Sequence, residues 1–293
     1  MNLLQKNKLT SLVAIFFLSL AGFLTLNYEQ QVEAGNPLLK RKSEFRPVDE
    51  KMARRQLEEY LEWLQPQNVD GTSKDDAIVT GGGDDNIQSY AGNDRINSGP
   101  GDDEIRSGPD NDIVDAGPGN DYVLAGSGDD CVYGGWGDDY LGGGDGDDHL
   151  YGELGDDSLY GDAGNDSLFG GPGNDVIKGE GGNDFMHGGD GQDELYSRGG
   201  SDFMVGGDDA DDFIIRPTGS VEYNVIIDFT PGVDLVDLTH PGIQIADFAD
   251  LLNHCFQTTQ GVRISLPTNN WGNDTLLLID VTIGDLDPLD FDI

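Results

Sequence analysis

An aspartate stands at every ninth residue from Asp76 to Asp211: Asp76, Asp85, Asp94, Asp103, Asp112, Asp121, Asp130, Asp139, Asp148, Asp157, Asp166, Asp175, Asp184, Asp193, Asp202 and Asp211. Carboxylates are hard, charged oxygen donors, so an evenly spaced column of them is equipped to hold hard cations. Two residues after each aspartate comes an apolar one, without exception, beginning Ile78, Ile87, Ile96 and ending Leu195, Met204, Phe213. A fixed apolar position inside a strongly acidic tract implies a stacked repeat that buries one residue per unit.

A well-formed unit reads Gly134-Gly135-Trp136-Gly137-Asp138-Asp139-Tyr140-Leu141-Gly142. Its first six residues have turn chemistry and its last three read as a short strand that sends the middle residue inward. Two units make one coil of eighteen residues, so units of the same parity stack. Eight coils would form a rod about 38 Å long at about 4.8 Å per strand spacing.

Stacking also sets aspartates eighteen residues apart, such as Asp130 and Asp148, on one edge. Two charges at about 5 Å repel by roughly 3 kcal/mol at an effective dielectric of about 20. A divalent cation reverses the sign of that interaction, and turn carbonyls can complete an oxygen shell. The units offer no regular His or Cys, so the donor set favours calcium over zinc.

The unit resembles the RTX, or haemolysin-type, calcium-binding nonapeptide. The resemblance covers residues 71–214 and implies an all-β fold, a parallel β-roll or β-solenoid, with several calcium ions between successive turns. Carried over position by position, it makes the sixteen aspartates the metal-binding side chains, joined by carbonyls of the first half of each unit. The sequence departs from the pattern at the fourth position, where Lys74, Asp110 and Asp209 replace Gly, and at the second, where Glu153, Asp162, Glu180 and Arg198 do. A side chain costs on the order of 1 kcal/mol where the backbone must be left-handed. Asp110 therefore marks a weaker internal site, and Ala116 to Tyr151 is the best-formed run.

Charge divides the chain of 293 residues. Residues 1–70 are balanced, with nine acidic and nine basic side chains, whereas residues 71–214 have a net charge of −30 and residues 215–293 a net charge of −10. Such a surface repels nucleic acid and anionic lipid headgroups. Lys6 and Lys8 precede an uncharged apolar run from Leu9 to Leu26, and Val32-Glu33-Ala34 offers a cleavage site, so residues 1–34 read as a signal peptide. An uncleaved anchor is the alternative and the one route to a membrane; Lys40, Arg41 and Lys42 beyond the run weaken it. Either choice places the repeats outside the cytoplasm, secreted or attached to the cell surface.

Residues 35–70 form a linker in which Leu57, Tyr60, Leu61 and Leu64 mark one face of a helix over Val48–Leu64, ended by Pro66. Its expected role is to cap the roll, with partner binding as the alternative. Residues 215–293 read as a mainly β cap, with a helix near Ala246–Phe256 and strands at Val262–Leu266 and Thr275–Ile279. Val225 to Leu238, Asn273 to Leu278 and Asp285 to Ile293 resemble the carboxyl-terminal region of RTX proteins. In relatives exported by type 1 machinery that region carries the secretion signal, which conflicts with an amino-terminal one, and a structural cap is the favoured reading.

Catalytic constellations are absent. His149, His187, His240 and His254 lie in no His-Glu-x-x-His, and there is neither a Gly-x-Ser-x-Gly elbow nor a Gly-Lys-Ser/Thr phosphate loop. Cys131 and Cys255 are too few for a disulfide framework. The expectation is a non-enzymatic protein. Ninth positions in alternate units carry Tyr133, Tyr151, Phe169 and His187, which should stack one per coil outside one sheet. That ladder either packs only against itself or serves as a contact for polysaccharide or for self-association.

Overall fold

The nine-residue period becomes the two sides of a coil. In the computed structural model, which describes residues 50–218, 221–241, 243–268 and 272–293, successive units send their strands alternately to two sheets. The first sheet has eleven strands and starts at Asn68–Asp70, whereas the second has twelve and starts at Ala77–Val79. Neighbours within a sheet are parallel and eighteen residues apart through the repeats: Leu150 lies between Val132 and Leu168, and Leu141 between Val123 and Leu159. This is the β-roll that the spacing predicts.

Strand length differs from the expectation of three residues. The strands Ala77–Val79, Asn86–Gln88 and Arg95–Asn97 do have three, but from Glu104–Pro109 through Asp212–Arg216 all have five or six. Positions two and three of the following unit continue the pairing, as Glu153 with Gly135 and Leu154 with Trp136. The turns shrink accordingly, and their amides also bond to the adjacent coil: Gly137 donates to the Leu154 carbonyl at 2.8 Å and Tyr140 to that of Asp121 at 2.8 Å. Backbone groups are thus satisfied along the roll axis rather than by the loops themselves.

Side chains alternate across the strands, so the eighth position points inward. All sixteen apolar residues there are buried and form one continuous core. Each strand buries little else that is apolar, and the core is a seam one side chain thick. Burial of each such side chain contributes about 1.5–3 kcal/mol, which must offset the ordering of a glycine-rich half coil.

Both sheets run on into the C-terminal region. Leu235–Asp237 and Phe291–Asp292 extend the first sheet, and Tyr223–Ile226 and Gly272–Ile279 extend the second before Gly261–Thr268 and Cys255–Gln257 turn it antiparallel. The expected strands at Val262–Leu266 and Thr275–Ile279 fall inside these, and the helix is shorter than expected, Phe248–Asn253 with Asp247 capping it. Phe213, Phe229, Phe291 and Phe248 form a chain of ring contacts, 6.4, 6.4 and 6.0 Å between successive centroids, that closes the apolar seam with bulk. Cys131 and Cys255 are free thiols.

The helix Glu50–Trp63 belongs to a unit separate from the roll, and in it Tyr60 stacks on Trp63 at 6.0 Å. Among the described residues no helix is long and apolar enough to cross a membrane. The expected signal peptide or anchor, residues 1–34, lies outside the described residues.

Close stacking explains the fourth-position glycines. Gly137 has φ +127°, and a Cβ there would stand 1.9 Å from the Gly119 carbonyl oxygen of the preceding coil. Asp110 and Asp209 fill this position at φ 81° and 80°, and Glu153, Asp162 and Glu180 fill the second at 75°, 70° and 66°, so these departures carry the left-handed cost. Tyr90 does so too, at φ 73°; Lys74 and Arg198 are not left-handed.

Gly137→Ala should therefore destabilise the calcium-loaded roll by roughly 2 kcal/mol or more through backbone overlap. Gly142→Ala should change stability by less than about 1 kcal/mol, since its Cβ would meet mainly the Leu124 side chain, at 3.1 Å. Thermal unfolding of the two variants in excess calcium checks the contrast, and equal losses would contradict it.

Candidate metal site

Each sixth-position aspartate follows the turn and precedes the strand, and its carboxylate lies inside the roll. From Asp85 to Asp211 these side chains are buried, at most 3% exposed. The two oxygens of each carboxylate meet different fates. Oδ1 accepts the backbone N–H of the aspartate one coil earlier: Asp130 N–H donates to Asp148 Oδ1 at 2.8 Å, and Asp148 N–H donates to Asp166 Oδ1 at 2.8 Å. This ladder runs the length of both edges, beginning with Gln67 N–H to Asp85 Oδ1 at 2.7 Å and Asp76 N–H to Asp94 Oδ1 at 2.8 Å. The sequence shows the 18-residue spacing on which it depends but not which oxygen is used.

Oδ2 is buried and accepts no well-formed hydrogen bond in fifteen successive aspartates, Asp85 to Asp211, although the hydroxyls of Ser98, Ser107 and Ser197 lie close enough to Asp103, Asp112 and Asp202 to favour their charged form. One such oxygen would be an anomaly, since buried polar groups are nearly always paired; fifteen in register are a design. Asp76 does not share the arrangement, because its Oδ2 accepts from the N–H and hydroxyl of Thr72 at 2.6 and 2.9 Å. At the other end, Asp211 N–H donates to Asp234 Oδ1, and Asp234 Oδ2 accepts from Thr230 N–H at 2.7 Å. The second column ends on a neutral amide, where Asp202 N–H donates to Asn224 Oδ1 at 3.0 Å. Thr72, Thr230 and Asn224 thus supply a donor or remove the charge at three column ends, whereas Asp274, beyond the repeats, again accepts an N–H on Oδ1, from Glu222, and buries an unpaired Oδ2.

The space around Oδ2 is shaped by the first-position glycine of the same unit. A Cβ on Gly143 would fall 2.3 Å from Asp148 Oδ2, and one on Gly152 would fall 2.3 Å from Asp157 Oδ2 and 2.7 Å from the Gly170 carbonyl oxygen. The same crowding recurs at Gly161, Gly170, Gly179, Gly188 and Gly206. Nearer the N-terminus the position holds Ser89, Ser98 and Ser107, whose hydroxyls donate to carbonyls of the next coil. The coil containing Asp110, expected to be weaker, keeps the common geometry: Asp94 N–H donates to Asp112 Oδ1 at 2.8 Å and Asp112 Oδ2 is buried, with the Ser107 hydroxyl nearby.

Among the described residues no three His, Cys, Asp or Glu side chains converge on one point. Any ion held here must draw most of its shell from carbonyl oxygens, with Oδ2 as the charged donor. That donor set suits calcium, which takes six to eight oxygens in flexible geometry. A carboxylate oxygen buried without a donor, beside a glycine and carbonyl oxygens, is where such an ion fits.

Burial pushes the carboxyls well above their ordinary value of 3.8: Asp121 to about 8, and Asp130, Asp139 and Asp148 to about 7. The N–H bond from the preceding coil opposes the shift in each, and neighbouring carboxylates add to it.

Of the expected ladder, Tyr133, Tyr151 and Phe169 stack nearly parallel on the second sheet, with centroids 5.0 and 5.1 Å apart and planes within 8°. His187 follows Phe169 at 6.3 Å, tilted by 33°. At these separations the ring faces are turned largely toward each other. Sequence reasoning missed a second ladder on the first sheet. Tyr122, Tyr140 and Tyr160 stack at 4.8 and 4.9 Å, and Lys178 Nζ then sits between Tyr160 and Tyr196, 4.7 and 5.1 Å from their centroids.

A carboxyl whose folded pKa is raised binds a proton in the folded state that the unfolded chain has already lost, so stability falls as pH rises from about 4 to the folded value. Without divalent cations, the β signal in far-UV circular dichroism should therefore be larger at pH 5 than at pH 8. In calcium, protons compete with the ion, and the calcium needed for folding should rise on acidification. A response flat in pH under both conditions would contradict the assignment of burial to these carboxyls.

The comparisons with known proteins agree with this arrangement. The RTX calcium-binding nonapeptide repeat matches in four consecutive copies, over residues 70–105, 106–141, 142–177 and 178–213. Among curated proteins none matches the chain. Solved structures with some likeness include a hyperactive, Ca2+-dependent, β-helical antifreeze protein from an Antarctic bacterium, with 21% identity, coverage of 70% of this chain and 83% of that one, and a TM-score of 0.40. The AlgE6R3 subunit of the Azotobacter vinelandii mannuronan C5-epimerase matches at 20% identity over 52% of this chain and 78% of its own, TM-score 0.24. The extracellular lipase LipA from Serratia marcescens matches at 16% over 78% and 40%, TM-score 0.18. These structural scores are too low to carry an argument, whereas the repeat match spans the same segment as the aspartate columns. Residues 70–213 thus belong to the RTX calcium-binding nonapeptide repeat family, and the chain is a calcium-binding β-roll protein.

Proposed function

We propose that this protein is an exported, non-enzymatic component of a cell surface or matrix whose roll folds when calcium binds. The column of buried, unpaired Oδ2 atoms is the observation that supports it most directly. The ligands are Oδ2 of Asp85 to Asp211, with carbonyl oxygens of the glycine turns completing each shell. Asp76 contributes least, since Thr72 already occupies its Oδ2.

The coupling of folding to binding follows from electrostatics. In the absence of the ion the roll must bury rows of carboxylates against a thin apolar seam; the bound ion converts each buried charge from a cost into a contact. A calcium site of this kind works where free calcium is plentiful, and extracellular calcium modules bind at about 10⁻⁴–10⁻³ M. That requirement and the amino-terminal apolar run both favour export. No set of side chains identified in the repeats offers a nucleophile with its base, which supports a binding or structural task over catalysis.

Glycan contact through Tyr133, Tyr151, Phe169 and His187 is the second reading. The ordered aromatic edge supports it, but the rings spend much of their faces on each other. Sugar stacking needs free faces, so the reading ranks below the calcium-dependent structural role.

Asp148→Asn retains the Oδ1 acceptor for the Asp130 N–H and removes the charged Oδ2. It should cost roughly 1–3 kcal/mol of folding free energy at fixed calcium, the scale of a buried group left unsatisfied, and shift the folding midpoint to higher calcium. Asp145→Asn makes the same charge change at an exposed position and should leave the midpoint unchanged. Calcium counted by equilibrium dialysis should fall only in the first variant; equal binding by both would sink the ligand assignment.

A further inference from the structure

The two outer faces of the roll differ in a way that calcium binding does not require. On the first sheet the tyrosine ladder of Tyr122, Tyr140 and Tyr160 is flanked by charges, Glu104 and Arg106 before it and Lys178, Glu180, Glu194 and Arg198 after it, with Arg198 paired to Glu180 at 2.8 Å. The matching stretch of the second sheet presents Ile113, Trp136, Tyr151, Phe169, Phe185 and Phe203. Trp136 is 65% exposed and Phe203 48%, and the ring rows are in register from one coil to the next. Glu153, Asp190 and Asp208 stand toward the strand ends beside the turns, where Trp136 also lies, and Asp115, beside Tyr133, is the carboxylate that stands in the central rows of this stretch. A chain of net charge −40 therefore displays on its second sheet a plate whose centre is mostly apolar and whose rim is acidic, with fewer charges among the rings than on the first.

We propose that this plate is the contact surface of a calcium-dependent homodimer, two copies packing their second sheets face to face. The inference rests on the reading that calcium folds the roll. Its area is sufficient. Six strands at about 4.8 Å spacing and six residues at about 3.3 Å rise span roughly 580 Å² per copy, about 1,150 Å² for the pair, above the roughly 1,000 Å² a specific interface needs. Charge selects the occupant, because a polyanion is repelled by the whole molecule and a polycation would be drawn to the acidic turns and rim rather than to a centre in which Asp115 is the one carboxylate. A second plate of the same composition is self-complementary about a two-fold axis. The stacked rings supply rigid contact area at low entropic cost. Bound cations along both edges lower the repulsion between two acidic copies, so association follows ion loading.

Cys131 provides a built-in reporter, since its half-buried thiol lies on this face whereas Cys255 is buried in the core. In excess calcium the protein should sediment as a dimer, and alkylation of Cys131 should slow as protein concentration rises. Tyr151→Glu and Phe185→Glu should each weaken dimerisation at least tenfold while circular dichroism shows the calcium-induced fold intact; Tyr140→Glu, on the opposite sheet, should not. A monomer at every concentration with Cys131 alkylated at a constant rate overturns the proposal. So does equal weakening by Tyr140→Glu, or a monomer that retains a soluble glycan through Tyr151 and Phe185. If calcium fails to fold the chain, the calcium reading fails; if it folds a lasting monomer, only the dimer is lost.

Discussion

One oxygen per half coil sets the terms for the rest of the molecule. Asp85 to Asp211 each bury a carboxylate whose Oδ1 is satisfied by the coil before and whose Oδ2 accepts no well-formed hydrogen bond. A buried charge without a partner is among the most costly things a protein can contain. The seam of single apolar residues is thin, and the glycines that admit Oδ2 beside the backbone remove further packing. The architecture accepts these costs because a cation turns each one into a bond. In the function we propose, calcium is a structural part of the roll.

From that constraint the remaining features follow. Gly143 and Gly152 stand where a Cβ would overlap Oδ2, and Gly137 stands where a Cβ would overlap the neighbouring coil. Three column ends meet Thr72, Thr230 and Asn224, which supply a donor or remove a charge. The C-terminal rings of Phe213, Phe229, Phe291 and Phe248 close a core that would otherwise stay open. The outer faces are free to differ: both carry a ladder of rings, and the first interleaves it with more charge than the second.

The roll and its inward row were legible in the sequence because both are strictly periodic. Leu141 and Leu150 are predicted to be buried by register alone, and they are. The division of labour between Oδ1 and Oδ2 was not legible, since it depends on backbone amides that every residue carries. The special status of Asp76 lay in Thr72, four residues earlier, where the periodic pattern draws no attention. Strand length was underestimated because the second and third positions look like turn residues yet pair across coils. The tyrosine ladder of the first sheet escaped notice for another reason: it passes from the seventh position at Tyr140 to the ninth at Tyr160 and so breaks the period that revealed the other ladder.

The central claim is that the ion and the fold form together. Far-UV circular dichroism of the protein during a calcium titration from chelator tests it most directly. The account predicts little regular β structure at the start and a cooperative gain as calcium is added. Full β structure in chelator, unchanged by millimolar calcium, would contradict it.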